Sequence, residues 1–116
     1  MGVLSVVTQP DRDAVVWVRV TGEIDMATAG QVTTAVAQAL RGRPSEVLID
    51  LGAVSFLDSS GIQALLAAQA GGETCGIVVR VVNPRGHILR VLEITGVHDL
   101  LQYHLPADGD TPGLTA

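Results

Sequence analysis

The sequence predicts an α/β fold: a mixed, mostly parallel sheet in the order β-β-α-β-α-β-α-β, with helices packed on the sheet. Three observations predict it. Short Val- and Ile-rich runs alternate with segments whose apolar residues recur at helical spacing. Hydrophobic residues make up 47% of the 116 and aromatics only 3%, so the core is aliphatic and large enough for one domain. Alternation of strand and helix calls for parallel strands joined by right-handed crossovers, with one antiparallel strand at the start.

Val3 to Val7 reads as a short first strand and Gln9-Pro10-Asp11 as a turn. Ala14 to Val20 is a second strand, with Trp17 and Arg19 on one face and Val16, Val18 and Val20 on the other. The two pair as a hairpin, and Gly22 breaks the pattern. Thr28 and Gln31 have capping-box spacing ahead of the stripe Val32, Ala35, Val36, Ala39 and Leu40. Gly42 and Pro44 end that helix. Val47 to Leu51 is a strand apolar on both faces but for Asp50. Gly52 to Ser55 precede the turn Asp58-Ser59-Ser60-Gly61, and the second helix runs to about Ala70, where Gly71-Gly72 stops it. Ile77 to Val82 is a strand. Asn83-Pro84 opens the third helix, buried through Ile88, Val91 and Leu92, with Gly96 in the C′ position. Leu100 to Leu105 is a weak last strand, and the remainder has turn and disorder composition.

A net charge of −5, with seven basic residues and no basic run, argues against nucleic acid as the partner. Cys75 is the single cysteine, so no intrachain disulfide framework exists, and it reads as a packed thiol at the start of an apolar run. The opening residues carry no basic n-region or long apolar h-region, and no apolar stretch approaches the roughly 20 residues that span a bilayer. The expectation is a soluble cytoplasmic chain without membrane insertion. Its first strand is an exposed edge able to pair with another copy, which leaves monomer or weak dimer open.

The chemistry concentrates at Asp58-Ser59-Ser60-Gly61. An apolar strand delivers two hydroxyls and a carboxylate to a turn, and a helical pattern (Ile62, Leu65, Leu66, Gln69) begins at once. Unpaired N–H groups and the dipole at a helix start favour negative charge, so a serine there accepts a phosphate without unfolding the domain. Asp58 or Ser59 also suits a simple cap, and the two readings are compatible. Asp25 follows the second strand as Asp58 and Ser59 follow the third, so the three form one surface at the strand exits. Asp25 either positions the Ser59 hydroxyl or starts the first helix. A serine hydrolase would need a nucleophile, a base and an oxyanion hole. The turn lacks the Gly-x-Ser-x-Gly elbow, and His87, His98 and His104 read as solvated surface residues. His98-Asp99 is too local for a metal site. No catalytic residue, metal or cofactor is expected.

These residues resemble the STAS domain, and specifically bacterial anti-sigma factor antagonists. The resemblance runs through Gly22-Glu23-Ile24-Asp25, Val47-Leu48-Ile49-Asp50-Leu51, Val54 to Gly61, Asn83-Pro84 and Val91 to Val97, with Phe-Leu-Asp-Ser-Ser-Gly its most specific run. It implies a STAS domain over residues 1–105; the tail over 106–116 is Gly/Pro-rich where many members have a final helix, and reads as flexible or short-helical. It implies a regulator that binds an anti-sigma factor serine kinase while unphosphorylated, freeing a sigma factor. Phosphorylation at Ser59 (less so at Ser60) switches it off, and a phosphatase acting on phosphoserine restores it. The partner surface implied is Asp25, Asp58, Ser59, Ser60, Gly61 and Ile62. A scaffold or ligand-binding STAS module of another signalling complex is the alternative reading. The chain departs from the family pattern in an Ala-rich second helix, Gln63 to Ala70, without the basic or aromatic residues often found there.

Overall fold

The computed structural model describes residues 3–97 and 103–104, with side chains for the first of these segments. Its elements are β1 (Leu4–Pro10), a 3-10 turn (Arg12–Ala14), β2 (Val15–Ile24), α1 (Ala29–Arg41), β3 (Glu46–Leu57), α2 (Ser59–Cys75), β4 (Val78–Val82), α3 (Gly86–Ile94) and β5 (Tyr103–His104). The sheet runs β1-β2-β3-β4-β5, with β1 antiparallel to β2 and every other pair parallel. The expected element order is the observed one.

One face of the sheet carries Val18 and Val20 of β2, Val47, Ile49 and Leu51 of β3, and Val79 and Val81 of β4, all buried. Val32, Val36 and Leu40 of α1, Leu65 and Ala68 of α2, and Ile88 and Leu92 of α3 join them in one core cluster. All three helices therefore cover the same face, as right-handed crossovers require when strand order follows chain order. The opposite face holds Trp17, Arg19, Leu48, Asp50 and Arg80. Its charges are paired there, Arg19 with Asp50 at 2.7 Å and Arg80 with Glu46 at 2.9 Å.

Several boundaries differ from the sequence expectation. Gly22 does not break β2: it takes φ +114° inside the strand, and the carbonyl oxygen of Val3 fills the place of its missing side chain. Gly52 to Ser55 belong to β3, which carries an extra residue against β2 at two places, between Arg19 and Thr21 and between Gly22 and Glu23. These bulges let a strand longer than its neighbour's apolar run stay in the ladder. Gly71-Gly72 does not stop α2, which continues to Cys75 and ends on Gly76 at φ +73°. Gly72 is buried because α2 crosses β4 there: a Cβ would meet the Val79 side chain and the Ile77 carbonyl. Cys75 is exposed at the end of α2 rather than packed. Asn83-Pro84 precedes α3 rather than opening it, and Arg85 holds the N-cap position. Gly96 does stand at C′, with φ +77°. The tail 106–116, with His98 and Asp99, lies outside the described residues.

The expected turn Gln9-Pro10-Asp11 falls one step late, because β1 extends to Pro10 and Asp11 caps the 3-10 turn. The Arg12 backbone N–H at 2.7 Å and the Trp17 indole N–H at 2.9 Å both donate to the Asp11 carboxylate and hold its pKa below the usual aspartate range. A carboxylate whose pKa is lower when folded stabilises the fold above its unfolded pKa, and that contribution disappears as pH falls through the folded value. Trp17 is the only tryptophan. Acid titration of the folded protein should therefore change its emission at a pH below the ordinary aspartate range, and Asp11→Ala should abolish that step.

Candidate functional site

β2 and β3 run parallel and end together, Ile24 beside Leu57. Of the residues that follow, Asp58 caps α2 and Asp25 holds the turn that leads into α1, and the Asp58 N–H donates to the Ile24 carbonyl at 3.3 Å. The strand exits that the sequence brings together are thus one strand spacing apart.

Asp58 is the N-cap of α2. Its Oδ1 accepts from the Ser60 N–H at 2.9 Å and from the Gly61 N–H at 3.1 Å, and its carbonyl accepts from the Ile62 N–H at 3.0 Å. The capping reading of Asp58 is the observed one. Replacing it with Ala should lower stability by about 1 kcal/mol, read as a lower melting temperature, whereas Asp58→Asn should retain most of it.

Asp25 closes the turn that precedes α1, whose N-cap position is Thr28. Its Oδ1 accepts from the N–H groups of Ala27 at 2.9 Å and Thr28 at 3.1 Å. Thr28 answers: its hydroxyl oxygen accepts from the Asp25 N–H at 2.9 Å and donates to the Glu23 carbonyl at 2.7 Å. A reciprocal box therefore exists, between Asp25 and Thr28 rather than between Thr28 and Gln31. It buries the Thr28 side chain, and α1 begins directly after it at Ala29.

Ser59 is the first residue of α2 and is exposed. Ser60 is half-buried, in a shallow groove of about 310 Å³ between α1 and α2 that Gly30, Thr33 and Gln63 also line. Gly61 is buried; a Cβ on it would lie 2.9 Å from the Ile24 Cγ2 and 3.1 Å from the Ile24 carbonyl oxygen. Its bareness is what lets the start of α2 close on the strand ends and fixes the direction in which Ser59 points. Ile62 is half-buried against the core.

Two exposed apolar residues stand close in sequence to the site: Met26, which sequence reasoning passed over, and Phe56, which it named only within the motif run. Met26 is 83% exposed and Phe56 is 44% exposed. Phe56 stands outward because the second bulge of β3 skips Ser55 in the pairing, so that Phe56 faces Glu23 while Leu57 turns inward. Met26 follows Asp25 and Phe56 stands two residues before Asp58, so both strand exits carry an exposed apolar side chain close in sequence to a carboxylate, a composition suited to a protein partner. Among the described residues, Asp25 and Asp58 make no ion pair, and no group of three His, Cys, Asp or Glu side chains could hold a metal. His87 is exposed on α3.

A family model described as "Mlab, STAS domain" matches residues 7–102. The chain belongs to the STAS domain family. Several of its relatives are named anti-sigma factor antagonists. It is 38% identical over 85 residues to the anti-sigma-F factor antagonist RsfB of Mycobacterium tuberculosis, a match spanning 72% of this chain and 67% of that protein. It is 31% identical over 104 residues to the anti-sigma F factor antagonist of Paenibacillus polymyxa, covering 84% of this chain and 82% of that one. The crystal structure of an anti-sigma factor antagonist from Mycobacterium paratuberculosis superposes with a TM-score of 0.76 at 33% identity, covering 91% and 89% of the two chains. The fold of this STAS domain is therefore that of solved antagonists. No helix among its described residues is long and apolar enough to cross a membrane.

Proposed function

We propose that this STAS domain is a cytoplasmic anti-sigma factor antagonist switched at Ser59. Unphosphorylated, it binds an anti-sigma factor that is also a serine kinase, and so frees a sigma factor. Phosphorylated at Ser59, it releases the kinase, and a phosphoserine phosphatase returns it to the binding form. Asp25, Asp58, Ser59, Ser60, Gly61 and Ile62, with Met26 and Phe56 beside them, form the partner surface. The domain acts by binding and carries no catalytic residue of its own.

The observation that carries this reading is the division of labour at the start of α2. Ser59 is exposed, while Asp58 already takes the N–H groups of Ser60 and Gly61. A phosphate on Ser59 would add about −1.5 to −2 charges. It would find those two donors engaged and the Asp58 carboxylate next to it. The helix dipole returns only about 0.3–1 kcal/mol at an exposed position. The modification therefore leaves the core untouched and changes the charge of the surface. Ser60, half-buried in the groove beside α1, is the poorer acceptor.

The test is direct. The protein is mixed with ATP and each anti-sigma factor kinase of its organism, and the phosphate is located by mass spectrometry. Phosphate on Ser59, with loss of the complex, is the expected result; modification of no serine in this turn by any of these kinases sinks the proposal. Ester hydrolysis that disappears in Ser59→Ala would point to an enzyme instead.

A further inference from the structure

We propose that β1 is the pairing edge of a symmetric homodimer, in which two copies join their sheets antiparallel about a two-fold axis through Val6. β1 is an outer strand of the sheet and is seven residues long. The direction of its backbone groups is fixed by the pairs that bracket it. Val3 accepts from the Glu23 N–H at 2.9 Å, and the Asp11 N–H donates to Val15 at 2.7 Å. In an antiparallel pair, residues alternate between bonding their neighbour and facing away. Val3, Ser5, Val7 and Gln9 therefore bond β2, and Leu4, Val6 and Thr8 present their N–H and C=O groups outward, in the register Leu4–Gly22, Val6–Val20 and Thr8–Val18. Pro10 falls on an outward position, where its missing N–H removes nothing from the β2 ladder.

Pro10 also selects the register of a second copy. Pairing of Leu4 with Thr8 of the other copy, and of Val6 with its own equivalent, satisfies every outward N–H and C=O of Leu4, Val6 and Thr8 within the described strand. Shifting by two residues one way sets the Leu4 carbonyl against Pro10, which has no donor, and the other way carries Thr8 past the described end of the strand. The strip is uncharged from Leu4 to Pro10, and the part of α1 alongside it offers Gln31, Thr34 and Gln38. A chain of net charge −5 thus meets its copy where neither carries a charge. Edge strands are usually guarded by Lys, inward charges, Pro, bulges or a covering element; β1 carries Pro10 at its end, and from Leu4 to Gln9 it has neither charge nor proline. On the helix-free face, Val7 is 49% exposed and comes to lie against Ser5 of the second copy. The axis is perpendicular to the strands, so the two Ser59 turns face opposite ends of the joined sheet and both stay open to a partner.

The full chain is examined by sedimentation velocity from micromolar to millimolar concentration, together with two sets of variants. Reversible dimerisation is expected. Thr8→Pro should weaken it about tenfold or more while keeping the melting temperature, because it deletes an outward donor on each copy and strands two carbonyls. In a Cys75→Ser background, Ser5→Cys mixed with Val7→Cys should cross-link under oxidation, since these positions stand opposite each other about 4.5 Å apart at Cα. Neither variant alone should do so. Phosphorylation of Ser59 should leave the dimer unchanged. A chain that stays monomeric at millimolar concentration overturns the proposal. So does a dimer that forms no cross-link between positions 5 and 7, whatever the fate of Thr8→Pro.

Discussion

Ser59→Asp is expected to weaken the complex with the anti-sigma factor about a hundredfold, a change of about 2.7 kcal/mol, with little change in melting temperature. The two halves of that result come from different parts of the structure. Ser59 belongs to no buried cluster: it is exposed, and the cap of α2 is made by Asp58, not by the serine. A carboxylate at the first helical position is also tolerated by the helix dipole. Folding therefore loses nothing. Recognition loses much if the partner covers this turn as proposed, because a second carboxylate beside Asp58 must then be desolvated, and a buried charge without a counter-charge is costly. Ser59→Ala should bind as the wild type does and accept no phosphate. Calorimetric titration against the anti-sigma factor, with thermal melts of the same samples, checks both variants; equal affinity for the two would show that charge at this position does not govern binding.

The parts of the architecture read correctly from the sequence are those governed by periodicity. The stripe Val32-Val36-Leu40 and the pair Ile88-Leu92 are buried as their spacing predicts, and Asp58 caps the helix that its position announces. What the sequence left hidden depends on contacts between elements. Gly71-Gly72 reads as a helix stop because glycine is a poor helix former, yet α2 passes through both, since tertiary packing at Gly72 outweighs propensity. Thr28 has the spacing of a cap with Gln31, but the backbone turn at Asp25 engages it first. Phe56 reads as one more strand residue, and only the bulge opposite Glu23 turns it outward. The surface beside Ser59 was therefore half legible: its polar members and Phe56 stand in the motif, while the outward turn of Phe56 and the exposure of Met26 come from register and turn geometry that no local pattern encodes.

The two glycines of α2 allow a test in which neighbouring positions respond with opposite sign. Gly71→Ala should stabilise the domain by about 0.5–1 kcal/mol, the ordinary gain from replacing glycine in a helix. A Cβ there would stand 3.6 Å from the Leu40 Cδ1, which is normal contact, and it would cover apolar surface at the α1–α2 junction. Gly72→Ala gains the same propensity and should nonetheless destabilise, by about 1–3 kcal/mol. Its Cβ would run into the Val79 side chain, with the Val79 Cβ itself 3.3 Å away, and into the Ile77 carbonyl. That carbonyl belongs to the tight return in which the Ile77 N–H bonds the Gly72 carbonyl at 2.8 Å, so it has little room to yield. Relief requires α2 to lift from β4, and the strain would be carried along the helix toward the Asp58 cap. Paired thermal melts decide the matter: about 4–8 °C per kcal/mol is the scale for a domain of this size, so the two variants should fall on opposite sides of the wild type. If both were stabilised, helix propensity would govern this helix and the close approach of α2 to β4 would not.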